Sequence, residues 1–240
     1  MSPSKRPAVI SAVVVAAGKG ERMGGEVPKP YLLLGGLPIL CRTLVRLQNQ
    51  ILGLREIIVV VRPEDRDGEA ARWQKQIVAA GATCMVDGGP SRMESVEAGL
   101  AAVTKDADLV LVHDAVRPFF PPARAREACR EALRVGAAIL AVPVRDTLKR
   151  EAADLRIGET VNRTGLWQAQ TPQVFRRETL VSALKRARAV GLKVSDDAQL
   201  LEEAGLPVVM VPGSMANFKI TEPEDLELAE ALFAMEMERD

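Results

Sequence analysis

The amino-acid sequence predicts an α/β fold in which a mostly parallel sheet is covered by helices on both faces. Short runs rich in valine and isoleucine alternate with amphipathic helical patterns along the chain, and this alternation is typical of strands that are buried on both sides. Of the 240 residues, 48% are hydrophobic and 27% are charged, which gives enough apolar surface for a large core. We therefore expect a single domain over residues 1–240.

The period of the apolar residues predicts the individual elements. Predicted strands are 9–17, 56–61, 82–86, 108–113, 137–142 and 207–211. Predicted helices are 39–50, 64–80, 91–103, 122–135, 177–189, 196–204 and 223–235. Because Ser91 is followed three residues later by Glu94, the helix at 91–103 is expected to begin with a capping box.

Residues 144–172 interrupt the alternation, since they have no long helical period and contain polar and glycine residues. We interpret them as an extended β-arm. Such an arm cannot bury itself alone, so we expect it to pack on a second subunit and form a homodimer. Trp167 is interpreted as core packing, because only 3% of the residues are aromatic and a buried tryptophan is commonly structural.

Charge and cysteine content exclude several classes of partner. The 32 basic and 32 acidic residues cancel, so no overall field attracts nucleic acid or an anionic membrane, and we expect a small-molecule partner. The apolar run at 9–17 is too short to span a bilayer. Three cysteines without metal-ligand spacing indicate a reducing compartment, so we expect a cytoplasmic protein.

A positively charged, glycine-rich loop follows the first predicted strand. Residues 16–23 read A-A-G-K-G-E-R-M, and Lys29 comes shortly after. Open α/β sheets bind nucleotides at this edge, where glycines let backbone N–H groups approach phosphate oxygens. The alternative is an ordinary turn with solvated charges. Met23 replaces the third glycine of a dinucleotide fingerprint, and no Gly-Lys-Ser/Thr completes a Walker A loop.

This loop, with Pro28 and Lys29, resembles the signature of pyrophosphorylase-type nucleotidyltransferases. Later segments narrow the resemblance: V-D-G-G from residue 86, S-V from 95, H-D-A-x-R-P from 113, V-R-D-T-x-K-R from 144, N-R from 162, L-W-x-A-Q-T-P-Q from 166 and N-x-K-I-T from 217. Over about residues 10–228, the chain is similar to the 2-C-methyl-D-erythritol 4-phosphate cytidylyltransferase family of the non-mevalonate isoprenoid route. The resemblance implies a Rossmann-like, three-layer α/β/α fold.

The resemblance also implies the reaction. A phosphate of 2-C-methyl-D-erythritol 4-phosphate would attack the α-phosphorus of CTP, and pyrophosphate would leave. The nucleophile is already an anion, so no general base is required. Catalysis would then depend on positioning, fixed cations and Mg²⁺. Arg22 and Lys29 match the family's transition-state stabilisers.

Asp114 closes the fourth predicted strand at the same sheet edge and matches the family's active-site aspartate. A carboxylate there can face Mg²⁺ or a ribose, although Mg²⁺ often keeps waters and takes its other ligands from phosphates. For an isolated aspartate, a helix cap or a surface charge would be the alternative. His113 is interpreted as a core histidine.

Two sets of binding residues are implied by the resemblance. The nucleotide set is Ala16, Ala17, Gly18, Lys19, Gly20, Gly88, Gly89, Ser95 and Asp114. The set for the second substrate is Arg117, Thr147, Arg163, Thr171, Ser195 and Lys219. Gly88 and Gly89 could equally form a simple turn before the capped helix. Thr147 and Arg163 lie in the arm, so they would reach the neighbouring subunit's site, unless they are merely solvated.

Two other functions stay open. A cytidylyltransferase for another polyol phosphate, such as ribitol 5-phosphate, shares the loop and much of the arm. A non-catalytic nucleotide-sensing or scaffold protein is possible on the same fold, because a fold does not guarantee chemistry. The presence of Arg22, Lys29 and Lys219 favours catalysis.

Overall fold

The computed structural model of the protein describes residues 6–18, 27–51 and 53–238. Within these ranges the strands are β1 (Ile10–Val15), β2 (Leu33–Leu34), β3 (Leu37–Pro38), β4 (Leu54–Val61), β5 (Cys84–Asp87), β6 (Leu109–Asp114), β7 (Ala137–Pro143), β8 (Leu148–Glu151), β9 (Ile157–Val161), β10 (Trp167–Arg176) and β11 (Val209–Pro212). The helices are α1 (Ile39–Gln50), α2 (Pro63–Arg66), α3 (Glu69–Arg72), α4 (Gln74–Ala79), α5 (Arg92–Ala102), α6 (Pro122–Val135), α7 (Arg177–Ala189), α8 (Asp197–Glu202) and α9 (Pro223–Met237).

A central sheet of seven strands has the order β11-β7-β10-β6-β1-β4-β5. The antiparallel pairs are those that β10 makes with its neighbours β6 and β7. The other neighbouring pairs of this sheet are parallel. All the predicted strands lie in this sheet, so the predicted α/β class with a mostly parallel sheet is confirmed.

Strand β10 was not among the predicted strands, and its first half falls in the segment 144–172 that was interpreted as an arm. Trp167 lies opposite Pro143 of β7, and Gln170 lies opposite Leu140. The part of that segment that stands apart from the central sheet is the hairpin of β8 and β9. Trp167 is 37% exposed, so its interpretation as core packing is wrong for the single chain.

The sheet is buried on both faces because successive side chains of a strand point to opposite sides. On β1, Ala12 and Val14 belong to one core cluster together with residues of α1, α4 and α6. Val13 belongs to the other cluster, which includes residues of α5, α7 and α8. Helices therefore cover both faces, and the three-layer arrangement is confirmed.

The helix predicted over 64–80 is interrupted, so this prediction is wrong in detail. The segment forms the three short helices α2, α3 and α4. Gly68 stands before α3 with φ −97° and ψ −115°, and Trp73 stands between α3 and α4 with φ −101° and ψ 10°. These are not helical angles, and the helical apolar period alone did not reveal the breaks.

Helix α5 begins as predicted. The Ser91 side chain accepts a hydrogen bond from the Glu94 N–H, and the Ser91 N–H donates to the Glu94 side chain, which together make the capping box. Further along the helix, a Cβ on Gly99 would collide with the Val13 side chain of β1. The absence of a side chain at Gly99 therefore lets α5 lie close to the sheet, and the N-terminus of α5 lies next to the ends of the strands.

In the part of the chain that the structure describes, no helix combines the length and the apolar character needed to cross a membrane.

Candidate active site

A cavity of about 450 Å³ opens at the carboxyl ends of β1 and β6. Its walls come from the segment after β1, from the turn before α5, from the end of β6 and from the loop before α9. The lining residues are Val15, Ala16, Ala17, Gly18, Lys29, Pro30, Gly89, Pro90, Ser91, Arg92, Ser95, Asp114, Val116, Lys219 and Thr221. This is the edge at which open α/β sheets bind their ligands.

The first wall follows β1 directly. The Ala16 N–H still donates to the Val60 carbonyl of β4 at 2.8 Å, and the chain then leaves the sheet through Ala17 and Gly18, which both line the cavity. Three residues predicted for this loop, Lys19, Gly20 and Arg22, lie outside the described residues. Their roles stay predictions.

Lys29 also lines the cavity and is the first residue of a 3-10 turn over Lys29–Tyr31. Its Nζ atom donates to the Thr221 carbonyl at 2.5 Å. Thr221 is fixed in turn, because its N–H donates to Asp225 of α9 at 2.7 Å. The predicted catalytic lysine therefore lines the cavity, and the start of the C-terminal helix holds it in place.

Asp114 is the centre of a charged cluster at the floor of the cavity. Its Oδ1 lies 2.7 Å from Arg92 Nη1, and its Oδ2 lies 3.1 Å from Arg117 Nε and 3.2 Å from Lys219 Nζ. Burial alone would raise the pKa of Asp114, but Arg92, Lys219 and Arg117 outweigh it and hold the pKa well below its ordinary value. Asp114 is therefore a fixed anion that gathers three cations.

Arg92 was not identified from the sequence. It is the first residue of α5, and its Nη2 atom lies 2.7 Å from Oδ2 of the buried Asp197, so that one guanidinium joins two carboxylates. The sequence signal at this point was the capping box, which explains Ser91 and Glu94 but gives no role to Arg92. Thr221 was missed in the same way, since only its position against Lys29 reveals it.

The turn before α5 forms a second wall of the cavity, and the residues within this wall are tightly packed. Gly88 donates its N–H to the Val61 carbonyl at 2.7 Å, and a Cβ on Gly88 would lie 2.7 Å from the Ala17 Cβ and 2.8 Å from the Ser95 Oγ. The Ser95 hydroxyl donates to the Ser91 carbonyl at 2.9 Å. Gly88 itself does not line the cavity, but it packs behind Ala17 and Ser95, which do.

If the cavity binds CTP, as the sequence resemblance implies, replacing Gly88 with alanine is expected to weaken that binding about tenfold, because the new methyl group must push Ala17 and Ser95 apart, and such overpacking typically costs about 1–3 kcal/mol. Titration calorimetry with CTP measures the effect. Gly68→Ala is the matched control, since a Cβ there would meet its nearest atoms at 3.7 Å, an ordinary contact. Unchanged affinity in the Gly88 variant would contradict a nucleotide site at this wall.

The residues predicted for the second substrate are only partly brought together. Arg117 and Lys219 meet at Asp114, and Arg117 Nη1 also donates to the Asn217 carbonyl at 2.7 Å. The structure buries Thr171, whose hydroxyl accepts from the Asp114 N–H at 3.1 Å and contacts His113 Nδ1 at 2.8 Å. Thr171 therefore binds the backbone of Asp114, and its direct contact with a substrate stays a prediction.

Arg117 and Thr171 do not line the cavity, and neither do Thr147, Arg163 and Ser195. The last three are exposed, and the Ser195 hydroxyl donates to the Gln199 side chain at 3.1 Å. Thr147 and Arg163 flank the hairpin of β8 and β9. A single chain therefore does not bring these residues to Asp114, and their roles stay predictions.

His113 is a core histidine, as predicted. Its ring is fully buried, with Nε2 3.1 Å from the Arg117 carbonyl and Nδ1 2.8 Å from the Thr171 hydroxyl. Burial lowers the pKa of His113 to about 3. The ring is therefore neutral near pH 7, and both nitrogens are already engaged.

The described residues offer little to hold a metal ion by themselves. They contain no group of three or more His, Cys, Asp or Glu side chains arranged to bind one. Asp114 is the carboxylate that lines the cavity, and both of its oxygens already pair with cations. A metal bound directly to Asp114 would have to displace one of those cations.

Comparison with known proteins gives one consistent result. Residues 10–235 match the family model described as "IspD: 2-C-methyl-D-erythritol 4-phosphate cytidylyltransferase". A protein of that name from Syntrophus aciditrophicus is 41% identical over 231 residues, which cover 96% of this chain and 98% of the relative. A "Bifunctional enzyme IspD/IspF" from Rhodospirillum rubrum is 43% identical over 235 residues, which cover 97% of this chain and 59% of that protein.

Solved structures agree. The 2-C-methyl-D-erythritol 4-phosphate cytidylyltransferase from Thermus thermophilus matches with a TM-score of 0.78 and 35% identity, over 94% of this chain and 99% of that one. The 4-diphosphocytidyl-2C-methyl-D-erythritol synthase from Anaerococcus prevotii matches with a TM-score of 0.79 and 31% identity, over 95% of this chain and 96% of that one.

Proposed function

Because the chain belongs to the 2-C-methyl-D-erythritol 4-phosphate cytidylyltransferase family, we propose that its cavity joins CTP to 2-C-methyl-D-erythritol 4-phosphate. The products are 4-diphosphocytidyl-2-C-methyl-D-erythritol and pyrophosphate. The single observation that carries the assignment of the site is the set of cations, Lys29, Arg92 and Lys219, that line one cavity beside Asp114. Two polyanionic substrates can meet only where such fixed positive charge offsets their repulsion.

The reaction needs no proton transfer from the protein. A phosphate oxygen of the acceptor attacks the α-phosphorus of CTP, the bond from that phosphorus to the oxygen bridging to the β-phosphorus breaks, and pyrophosphate leaves with the bonding electron pair. The attacking oxygen is already ionised near pH 7. This fits a chain whose one histidine, His113, is buried and has both ring nitrogens engaged.

Different walls of the cavity are assigned to different parts of the two substrates. We assign the cytosine and ribose to the backbone of Ala16 and Ala17 and to the turn that carries Gly88, Gly89 and Ser95. A close backbone edge suits a small pyrimidine, because a purine needs more room. Gly18, Lys19 and Gly20 would approach the phosphates, with Arg22 and Lys29 stabilising the charge that develops on the oxygens of the transferred group.

Lys219 and Arg117 are assigned to the phosphate of the acceptor. Both pair with Asp114, and the Lys219 side chain is 45% exposed, so its other N–H donors can reach into the cavity. An ammonium and a guanidinium suit a phosphate dianion. Asp114 then acts by holding these two cations at fixed positions.

Mg²⁺ is proposed to enter with CTP. Its chemistry would be to neutralise charge on the triphosphate oxygens. Mg²⁺ commonly takes most of its ligands from phosphates and water, and the two oxygens of Asp114 pair with Arg92, Arg117 and Lys219. Direct ligation by Asp114, which the sequence suggested, stays a prediction, and the present contacts favour an interaction through water.

A turnover assay tests the proposed function. Purified protein with CTP, Mg²⁺ and 2-C-methyl-D-erythritol 4-phosphate is expected to release pyrophosphate, and the same assay with ribitol 5-phosphate is expected to give a much lower kcat/KM. Equal or better use of ribitol 5-phosphate would overturn the choice of substrate. No release with any polyol phosphate would favour a nucleotide-binding protein without catalysis.

We also propose that the hairpin of β8 and β9 packs on a second copy of the chain. Leu155 and Ile157 in this hairpin are 87% and 67% exposed, and apolar side chains so exposed on a protruding arm call for a covering surface. In a homodimer built this way, Thr147 and Arg163 would reach the cavity of the other subunit.

Co-expression of two inactive variants tests the dimer. If Lys29→Ala and Arg163→Ala damage opposite halves of a shared site, each mixed dimer keeps one intact site, and random pairing restores about a quarter of the wild-type rate. If Arg163 acts within its own chain, no mixed dimer has an intact site, and the rate stays at the level of the single variants.

The unpaired cysteines suit a reducing compartment, so we place the enzyme in the cytoplasm.

A further inference from the structure

The proposed reaction assigns substrate contacts to Lys29, Lys219 and Arg117, whereas Arg92 enters it only as positive charge and its ion pair with the buried Asp197 has no role. Arg92 joins Asp114 to Asp197, and Asp197 itself does not line the cavity. We infer that Arg92 and Asp197 form a positioning pair for the cytidylyl transfer, in which Asp197 fixes Arg92 and Arg92 fixes the orientation of Asp114. This inference rests on the proposed function.

The geometry of Arg92 is that of a bridge. Its two terminal nitrogens bind different carboxylates, Nη1 to Asp114 Oδ1 and Nη2 to Asp197 Oδ2, each at 2.7 Å. These carboxylates belong to β6 and α8, while Arg92 belongs to α5. The planar guanidinium fixes the angle between its two hydrogen bonds. Three elements are therefore tied together next to the cavity.

Asp197 is a rigid anchor for this bridge. Its side chain is 1% exposed, and it is the first residue of α8. The N-terminus of α8 is attached to β10 by Gln173, which donates to the Asp196 carboxylate at 2.8 Å and accepts from the Ala198 N–H at 3.0 Å. The residues on both sides of Asp197 are therefore hydrogen-bonded to the central sheet.

The bridge determines which way Asp114 faces. Arg92 pairs with Oδ1, and Arg117 and Lys219 both pair with Oδ2. If Oδ1 lost its partner, the carboxylate could rotate about its χ2 bond. Lys219 would then lose the fixed carboxylate oxygen that orients its ammonium toward the phosphate of the second substrate. Misplacing a reacting group by about 1 Å can cost as much as 10²-fold in rate.

A simpler role for Arg92 is to supply positive charge to the triphosphate, since it also lines the cavity. The two roles differ in what a lysine would do. Arg92→Lys keeps the charge, but a single ammonium on a shorter side chain cannot bind both carboxylates in the same way. Asp197→Asn keeps Arg92 and its charge, and removes only the anion that holds it. If Arg92 positions Asp114, both variants are expected to have a lower kcat than the wild type.

The experiment compares these two variants with the wild type and with Glu97→Gln. Glu97 lies on the same helix, α5, and pairs with Arg188 at 3.2 Å on the surface, so it controls for loss of an ion pair on that helix. For each protein, kcat and the KM for both substrates are measured, together with the thermal midpoint. We expect kcat to fall about tenfold in Arg92→Lys and Asp197→Asn, with the KM for CTP within about threefold of wild type and Glu97→Gln unchanged.

Each possible result supports or overturns the positioning role of Arg92 and Asp197. Wild-type kcat in Arg92→Lys would overturn the inference and leave Arg92 as a simple source of charge. A fall in kcat that matches the loss of folded protein would assign the pair to stability alone. If Asp197→Asn does not fold, Arg92→Lys decides by itself. Absence of turnover in the wild type would overturn the proposed function and this inference with it, whereas an active wild type with unchanged kcat in the variants overturns only the inference.

Discussion

Replacing Lys29 with alanine is expected to lower kcat by on the order of 10²-fold or more, while the protein folds normally. Lys29 lines the cavity next to the segment that follows β1, and its ammonium is held against the Thr221 carbonyl at 2.5 Å. A cation fixed in this way costs no reorganisation when charge develops on the oxygens of the transferred phosphoryl group. Removing it withdraws stabilisation that is needed most in the transition state.

Pyrophosphate release at saturating CTP and acceptor measures this effect. Lys75→Ala is the control, because Lys75 is an exposed lysine on α4, outside the residues that line the cavity. Lys29→Arg should recover part of the rate, since it keeps the charge but not the shape. Near-normal pyrophosphate release by Lys29→Ala would remove Lys29 from the mechanism.

The second large effect is expected for Asp114→Asn, which keeps the shape of the side chain and removes its charge. Arg92, Arg117 and Lys219 would lose their common anion. We expect kcat to fall on the order of 10²-fold, because cations that are no longer held cannot present a preorganised field to the reacting phosphates. The KM for the acceptor should change less, since the positive charge that attracts it remains.

Stability should fall in the same variant. Removing one partner of a buried ion pair typically costs about 3–5 kcal/mol, because the other charge is left without compensation. Thermal unfolding measures this loss, and Asp106→Asn is the control, since Asp106 pairs with Arg55 on the surface, where an ion pair contributes little to stability. Wild-type kcat and an unchanged thermal midpoint in Asp114→Asn would contradict both the catalytic and the structural part of this account.

The parts of the fold that were predicted correctly are those in which the hydrophobic pattern is decisive. Strand β1 and its neighbours consist mainly of valine, isoleucine, leucine and alanine, as is typical of buried parallel strands. Strand β10 has no such pattern. Its buried Gln170 donates to the Ser214 carbonyl and accepts from Asn217, so polar side chains are accommodated by partners far along the chain. A local pattern cannot reveal those partners.

In the site, too, local sequence motifs reveal some residues, whereas others depend on partners far along the chain. Lys29, Asp114 and Lys219 were identified because they lie in recognisable motifs, and the structure brings them to one cavity. The role of Arg92 depends on Asp197, which lies 105 residues further along the chain, and nothing near Arg92 in the sequence points to it. Thr147 and Arg163 are placed by the resemblance alone, and the single chain leaves them exposed.

The antiparallel strand β10 also has a consequence for how the protein is made. β6 and β7 do not touch each other, because β10 lies between them, and β10 follows both in the chain. On the ribosome, the half-sheet of β5, β4, β1 and β6 can assemble as soon as it emerges, whereas β7 has no edge to join until β10 has been synthesised. We therefore expect β7 to keep unpaired backbone amides until β10 has been synthesised, and unpaired strand edges of this kind favour aggregation.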